Sequence, residues 1–305
     1  MELSIGGIGA SRAVLIAGPT ASGKSTAALR LAEEAARHSR AVWIVNADSM
    51  QVYEGLRVLT ARPDEAEEAH VPHRLYGHVP PEMRYSAGAW LRDMKDVLAA
   101  AHAADALPIV VGGTGLYFKA LTEGLAAVPA VPEAVQRRWS DRLADEGAAR
   151  LHALLAERDP ESAAAIRPAD AQRIQRALGV LEATGIPLAN WRRTRHAAPL
   201  IRAHDAARFV IEPDRAVLYG RIGERVDRMI AGGAVEEVRR LLARGLDESL
   251  PAMKAIGVAT FAAHLRGEVS LAEAAGRTAQ ESRRYAKRQL TWFRHQMPGW
   301  RSVTA

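Results

Sequence analysis

The chain has 305 residues, which is enough for one large domain and a smaller unit, and its 48% hydrophobic content is ample for a buried core. A formal net charge of +6 and a pI near 9.9 favour polyanionic partners. The absence of cysteine excludes disulfide bonds, zinc sites built from thiolates and a cysteine nucleophile.

The sequence carries no targeting or membrane-spanning signal. Residues 1–12 are rich in glycine and lack the basic start and apolar run of a signal peptide. Every apolar run is shorter than the roughly 18 residues that a membrane-spanning helix needs. We therefore expect a cytoplasmic protein that has no membrane partner.

Short apolar runs in the first half of the chain predict buried strands. The run AVLIA at residues 13–17 leads into a glycine loop and then an alanine-rich helix, as in a βα unit. Similar runs stand at residues 41–45 and 108–111, and Ser86 is placed to cap a helix between them. Because strands alternate with helices, the sequence predicts an α/β fold with a parallel sheet.

The character of the sequence changes after about residue 125. Amphipathic helical segments follow one another between prolines, and none of them reads as a strand. A strand-like run at residues 208–211 then returns the chain to the sheet, and a long basic helix lies near the end. We therefore predict a core formed by residues 1–125 and 201–305, with a helical insertion at residues 126–200.

The segment between the first strand and the first helix matches the phosphate-binding pattern GxxxxGK[ST] in full. Its eight residues are Gly18, Pro19, Thr20, Ala21, Ser22, Gly23, Lys24 and Ser25. Glycines let backbone N–H groups turn towards phosphate oxygens, Lys24 offsets their charge, and the Ser25 hydroxyl can hold Mg²⁺. The loop therefore predicts a di- or triphosphate ligand and Mg²⁺ as a cofactor.

The phosphate loop alone leaves the reaction open. The guanine-specific pattern NKxD is absent, and no acidic residue ends the third apolar strand, so a GTPase or a motor ATPase is disfavoured. A small-molecule kinase is an alternative that the loop permits.

Polar residues follow the second and third predicted strands. Asp48, Ser49, Met50 and Gln51 come after the second, and Thr114 comes after the third. Ligands of open parallel sheets bind beyond the carboxyl ends of the strands, so these residues are expected near the phosphate loop. There a carboxylate can act as a general base or hold Mg²⁺ through water, although Asp48 and Thr114 could also serve as turn or helix-capping residues.

Five motifs stand in the order and at the spacing of one known family. GPTASGKS, ADSMQVY and GGTGLYFKAL are followed by PADAQRIQRAL and RRYAKRQLTWFR. Over residues 13–294 the chain resembles the tRNA dimethylallyltransferase (tRNA isopentenyltransferase) family. The resemblance implies a P-loop NTPase-like sheet flanked by helices with a helical insertion domain. It also implies transfer of a dimethylallyl group from dimethylallyl diphosphate to N6 of adenine at tRNA position 37, beside the anticodon.

The resemblance further implies catalytic roles for three residues. Asp48 corresponds to the family's catalytic aspartate and would accept an N6 proton while diphosphate leaves. Thr114 matches a threonine that contacts the reacting groups, and Lys24 would offset charge on the diphosphate. Arg225 is assigned to the same diphosphate site, with Arg215 and Arg221 as alternatives that the sequence does not separate.

The residues assigned to tRNA binding share positions in the family's motifs. They are Asp48, Ser49, Met50, Gln51, Thr114, Gln136, Gln172, Arg173, Ile174, Gln175, Arg176, Lys254, Gly257, Lys287, Arg288 and Arg294. The target adenine has to leave its stack to reach the site, at a cost of a few kcal/mol. Val258 and Ala259 depart from the aromatic and basic residues that the family commonly has there.

We expect the chain to act as a monomer on the anticodon stem-loop, and an RNA-binding module with a vestigial phosphate loop is the nonenzymatic alternative.

Overall fold

The structure of the protein is a computed structural model. It describes Ile8, residues 11–194 and residues 198–304. Residues 1–7, 9 and 10, which belong to the segment that we interpreted as lacking a signal peptide, lie outside the described residues. The chain divides into two compact units, Met1–Glu123 with Leu200–Ala305 and Gly124–Pro199. Among the described helices, none is both long enough and apolar enough to cross a membrane.

A parallel sheet forms the centre of the first unit. Its strands within the described residues are β1 (Ala13–Ala17), β2 (Val42–Asn46), β3 (His73–Arg74), β4 (Leu107–Gly112), β5 (Ala206–Ile211) and β6 (Arg301–Val303). They lie in the order β3-β2-β4-β1-β5-β6, and every neighbouring pair is parallel. Because β1 lies in the middle and helices cover both faces, all five of its residues are buried, which explains their uninterrupted apolar run.

The helices alternate with these strands in the first unit, and in the described part of the second unit helices follow one another with short loops between them. In chain order they are α1 (Lys24–Arg37), α2 (Arg57–Thr60), α3 (Glu65–His70), α4 (Ala87–Ala103), α5 (Gly115–Glu123), α6 (Glu133–Arg158, kinked at Gly147), α7 (Pro160–Ala165), α8 (Ala171–Thr184), α9 (Leu188–Thr194), α10 (Arg215–Ala231), α11 (Ala234–Leu242), α12 (Val258–Leu265) and α13 (Leu271–Gln296). The predicted parallel α/β sheet with a helical segment in the chain is confirmed.

The sheet buries a different set of side chains on each face. On one face, Ile16 and Ile109 pack against Leu31 of α1. On the other, Leu15 and Val110 pack with residues of α4, α5 and α13. Burying a side chain of this size contributes about 1.5–3 kcal/mol to the stability of the fold. Because both faces of the sheet are packed in this way, the strand ends stay fixed relative to one another.

Helix α4 anchors the carboxyl ends of β2 and β4. Ser86 caps it as the sequence predicts, since its hydroxyl accepts a hydrogen bond from Ala89 N at 3.1 Å. Trp90 is fully buried, stacks on the Tyr117 ring with centroids 4.4 Å apart, and donates from Nε1 to Asn46 O at 2.8 Å. One side chain therefore ties the end of β2 to the beginning of α5.

The second unit is a helical cluster around its own core. Asp170 caps α8 by accepting from Arg173 N at 3.3 Å, and Ile174 and Leu178 are buried one turn apart. Trp139 of α6 belongs to the same core. The prediction that Ile174 contacts tRNA is corrected here, because its side chain is completely buried and supports the helix from inside.

Candidate active site

The phosphate loop occupies the turn from β1 into α1. Gly23 stands at the N-cap of α1 with φ of 84°, a left-handed conformation that costs glycine least. Lys24 Nζ donates to Pro19 O at 3.2 Å, so the lysine folds back over the loop. Ser22 is buried and its hydroxyl has no partner within the described part of the chain. An orphaned buried hydroxyl at this position fits a loop that is completed by a ligand.

The donor groups near the loop fit Mg²⁺ better than a metal held by the protein alone. Ser25 is exposed at the beginning of α1, where its hydroxyl can face a bound ion. No cluster of three His, Asp or Glu side chains that could hold a metal occurs in the residues that the structure describes. Mg²⁺ is commonly held by one or two protein oxygens together with substrate phosphates and water, which is the donor set that Ser25 and a bound diphosphate would offer.

A hydrogen-bonded turn positions Asp48 at the end of β2. Asn46 is buried and accepts from Asp48 N at 2.7 Å, while its amide donates to Asp48 O at 2.9 Å. Asp48 Oδ1 accepts from Met50 N at 3.0 Å. Asp48 therefore does stabilise this turn, which was the alternative role for it, but this uses only one carboxylate oxygen. The other oxygen, Oδ2, lies 3.3 Å from where a Cβ on Gly113 would stand. The second oxygen is directed towards the end of β4.

Thr114 joins the two strand ends. Its Oγ1 accepts from Ser49 N at 2.9 Å, and its own N–H donates to Ala47 O at 3.0 Å. Tyr285 of α13 lies close to Thr114. Burial, with the charge of Asp48 as a further cause, raises the pKa of Tyr285, so this phenol stays protonated near neutral pH.

The charge of Asp48 acts on both cations of the phosphate loop. Burial lowers the pKa of Lys24 to about 8, Asp48 opposes that shift, and Arg225 adds to it. Burial also lowers the pKa of Arg225, and Asp48 again opposes the shift. Because Asp48 and Arg225 both influence the pKa of Lys24, and Arg225 also bonds Thr20 of the loop, the three groups lie close together.

The three arginines of α10 that the sequence proposed for the diphosphate site differ in their surroundings. Arg225 donates from Nη1 to Thr20 Oγ1 and from Nη2 to Thr60 O at 3.0 Å. Arg221 Nη1 is 3.7 Å from where a Cβ on Gly23 would stand. Arg215 instead lies over the Tyr219 ring, 5.1 Å from its centroid. The geometry favours Arg225 as the arginine of the diphosphate site, with Arg221 next.

Two side chains that sequence reasoning did not assign also shape the site. Gln289 of α13 is buried and bonds both Thr20 N and Gly113 O. Glu237 of α11 is buried and accepts from Val58 N and Leu59 N, each at 2.8 Å, so it caps α2. Both act across more than 170 residues of sequence, and neither has a local pattern that could have revealed its partners.

The residues of the first unit assigned to tRNA differ in their exposure. Lys254, Lys287, Arg288 and Arg294 are exposed, and the last three line the outer side of α13. Gln51 is partly buried and its amide donates to Thr60 O and Ala61 O. The assignment of Gly257 is corrected, because it is buried with φ of 100° and a Cβ there would lie 2.7 Å from Leu59 Cδ1. Gly257 serves the start of α12.

The second unit presents the remaining assigned residues on and around α8. Gln172, Arg173 and Arg176 are exposed, while Gln175 Nε2 donates to Gln136 O at 3.2 Å. Gln136 Nε2 in turn donates to Val131 O at 2.6 Å. These polar groups therefore form a partly interlinked surface, on which Arg173 also pairs with Asp170 at 3.5 Å.

A phosphate loop that shares its space with a strand-end carboxylate defines a P-loop α/β protein built to act on a phosphorylated substrate. Comparisons then identify its family. The IPP transferase family model matches residues 51–296. The tRNA dimethylallyltransferase of Chelativorans sp. is 54% identical over 289 residues, 94% of this chain and 97% of that protein. That of Bradyrhizobium sp. is 54% identical over 290 residues, 95% of this chain and 93% of that protein.

Solved structures agree with this result. The tRNA isopentenylpyrophosphate transferase of Bacillus halodurans is 33% identical with a TM-score of 0.64, over 95% of this chain and 89% of that one. A eukaryotic dimethylallyltransferase acting on tRNA is 25% identical with a TM-score of 0.74, over 92% of this chain and 69% of that one. This chain belongs to the tRNA dimethylallyltransferase family, a family of prenyltransferase enzymes, and the resemblance read from its motifs is confirmed.

Proposed function

We propose that this protein transfers the dimethylallyl group of dimethylallyl diphosphate to N6 of adenine 37 in tRNA, giving N6-isopentenyladenosine. The proposal rests on the phosphate loop, which Arg225 bonds through Thr20, on the nearby Asp48 carboxylate at the end of β2, and on membership of the family. A site that combines cationic groups with one carboxylate suits a reaction in which diphosphate leaves and a proton is removed.

The bond changes assign a separate task to each group. The allylic C1–O bond breaks, the N6 lone pair forms the new C1–N bond, and the diphosphate departs with the electrons of the broken bond. Asp48 takes the proton that N6 loses. Lys24, Arg225 and the loop N–H groups stabilise the charge that develops on the leaving oxygen. Mg²⁺, held by Ser25 and diphosphate oxygens when bound, would supply further charge neutralisation.

All the groups that the donor half of this reaction needs come from the first unit of one chain. The adenine amine is a weak nucleophile because its lone pair is delocalised into the ring, so proton removal and leaving-group stabilisation have to act together. Nothing in this arrangement calls on a second copy, and we propose that the active species is a monomer. Sedimentation analysis with donor and tRNA bound would check that point.

A transfer assay with two matched controls tests the proposed function. Purified protein is incubated with radiolabelled dimethylallyl diphosphate and an unmodified tRNA transcript. The tRNA is then digested to nucleosides, which are separated and identified by mass spectrometry. We expect label in adenosine carrying one isopentenyl group, and none when guanine replaces adenine 37. Isopentenyl diphosphate, whose C1 is not allylic, should compete for the site without transfer. If protein that is folded and binds the donor leaves tRNA unlabelled, the proposal is refuted.

The lowered pKa of Lys24 predicts that donor affinity depends on pH. In the free protein Lys24 is charged below about pH 8 and loses its proton above it. The terminal phosphate of the donor is already ionised at that pH, since such groups titrate near 6. We therefore expect the affinity for dimethylallyl diphosphate, measured by calorimetry, to fall by about tenfold as pH rises through this value. The same titration of Lys24→Met should show no break there, and an unchanged wild-type affinity above pH 8 would contradict the assignment.

The outer side of α13 predicts a salt-dependent contribution to tRNA binding. Lys287 and Arg288 are exposed and form no salt bridge with a described carboxylate within 4 Å. Replacing both with alanine should weaken tRNA binding and reduce the slope of log K against log salt by about 1–2. Donor affinity should stay the same. Filter binding at several salt concentrations measures the slope, and a slope equal to that of the wild type would remove both residues from the interface.

A further inference from the structure

A buried glutamine on α13 holds two segments of the active site together. Gln289 accepts from Thr20 N through Oε1 at 2.9 Å and donates from Nε2 to Gly113 O, also at 2.9 Å. Its exposure is 5%, and its neighbours on the same face, Ala286 and Phe293, are apolar. A planar carboxamide thus spans the gap between the phosphate loop and the end of β4.

The two segments that Gln289 joins carry the two halves of the proposed reaction. Thr20 lies in the loop assigned to the diphosphate, and its hydroxyl is bonded by Arg225. Gly113 directly precedes Thr114 and lies beside Asp48 Oδ2. A side chain at position 113 would place its Cβ 2.2 Å from Gln289 Nε2, so the glycine leaves room for this contact.

The same face of α13 reaches the site a second time. Tyr285 lies four residues before Gln289, one helical turn away, and is close to Thr114. The helix therefore bonds the donor side through Gln289 and brings Tyr285 near the acceptor side. A leucine would fill the Gln289 position in an apolar layer equally well, but it would leave Thr20 N and Gly113 O without the partner that now joins them.

We propose that Gln289 is a positioning residue that sets the spacing between the bound diphosphate and the Asp48–Thr114 pair. This inference rests on the proposed transfer reaction. Gln289 touches neither reacting atom, and it acts through the two backbone groups that it holds. Bond formation between C1 and N6 depends on a near-attack distance, and misplacement by about 1 Å can cost 10²-fold in rate. The residue should therefore affect kcat as well as folding stability.

Two substitutions separate positioning from simple packing. Gln289→Leu removes both hydrogen bonds, and we expect kcat to fall by about 10- to 100-fold while tRNA affinity is unchanged. Gln289→Glu keeps the acceptor for Thr20 N, loses the donor to Gly113 O and adds a negative charge beside the loop. Its KM for dimethylallyl diphosphate should rise steeply at about pH 8.5, and lowering the pH to about 6 should restore activity, because burial raises the pKa of a carboxyl and the protonated carboxyl again donates.

The matched control is Gln280→Glu, which makes the same chemical change at an exposed position of α13. It should match the wild type in kcat, KM and pH profile. Thermal unfolding of each variant is recorded in parallel, and if Gln289→Leu fails to fold, the pH profile of Gln289→Glu decides alone. Wild-type kcat in Gln289→Leu, or a pH profile of Gln289→Glu that follows Gln280→Glu, would overturn the positioning role. Absence of transfer by the wild type would instead refute the proposed function.

Discussion

Replacing Asp48 with asparagine is expected to lower kcat by about 10²- to 10⁴-fold and to leave tRNA affinity within about twofold of the wild type. Asparagine keeps an oxygen that can accept from Met50 N, so the turn after β2 should persist. What it loses is the basic oxygen directed towards Gly113. The acceptor amine then has no group to take its proton, and the chemical step slows while binding remains.

Single-turnover rates and filter-binding affinities measured side by side would check this prediction. Asp227→Asn is the matched control, because Asp227 is an exposed aspartate on α10 and has no assigned role. It should behave as the wild type in both assays. An Asp48→Asn protein with more than a tenth of the wild-type rate would show that another group removes the proton. A proportional loss of tRNA affinity would show that Asp48 acts in binding.

Replacing Lys24 with methionine is expected to reduce kcat/KM for dimethylallyl diphosphate by about 10²- to 10³-fold. Methionine preserves most of the side-chain volume and removes the charge that faces the loop. The charges of Asp48 and Arg225 both act on Lys24, and its loss leaves Arg225 and the loop N–H groups to balance the diphosphate without it. Charge on the leaving group grows in the transition state, so kcat should fall together with donor affinity.

Steady-state kinetics over a range of donor concentrations would separate the two effects. Lys95→Met is the control, since Lys95 is an exposed lysine on α4 that lies outside the proposed site. Thermal unfolding should change little in either variant, because the charge of Lys24 is partly desolvated in the free protein and does not stabilise the fold. If Lys24→Met retains wild-type kcat/KM, the loop does not hold the leaving group.

The predictable parts of this protein are those whose information is local in sequence. The continuous apolar run of β1, the glycine loop and the Ser86 cap each depend only on residues close by in the sequence. All three are found where expected. Strands β3 and β6 were not predicted, because they are two and three residues long and lie at the sheet edges. Strands this short carry no periodic pattern.

The parts that sequence did not reveal depend on contacts between distant segments. Gln289 and Glu237 look like ordinary polar positions of helices until the backbone groups that they satisfy are seen. Ile174 and Gly257 show the reverse error, because a motif position was read as a ligand contact where the residue is buried for packing. The choice among three arginines of α10 likewise needed the position of Thr20 in space.

A structure of the protein with a non-reactive dimethylallyl diphosphate analogue and an anticodon stem-loop would show whether the donor and the acceptor adenine meet beside Asp48. We predict diphosphate on the backbone of residues 18–25 and near Arg225, with N6 of an unstacked adenine within hydrogen-bonding distance of the Asp48 carboxylate. Diphosphate bound elsewhere, or an adenine amine out of reach of Asp48 while the donor sits in the loop, would contradict the account.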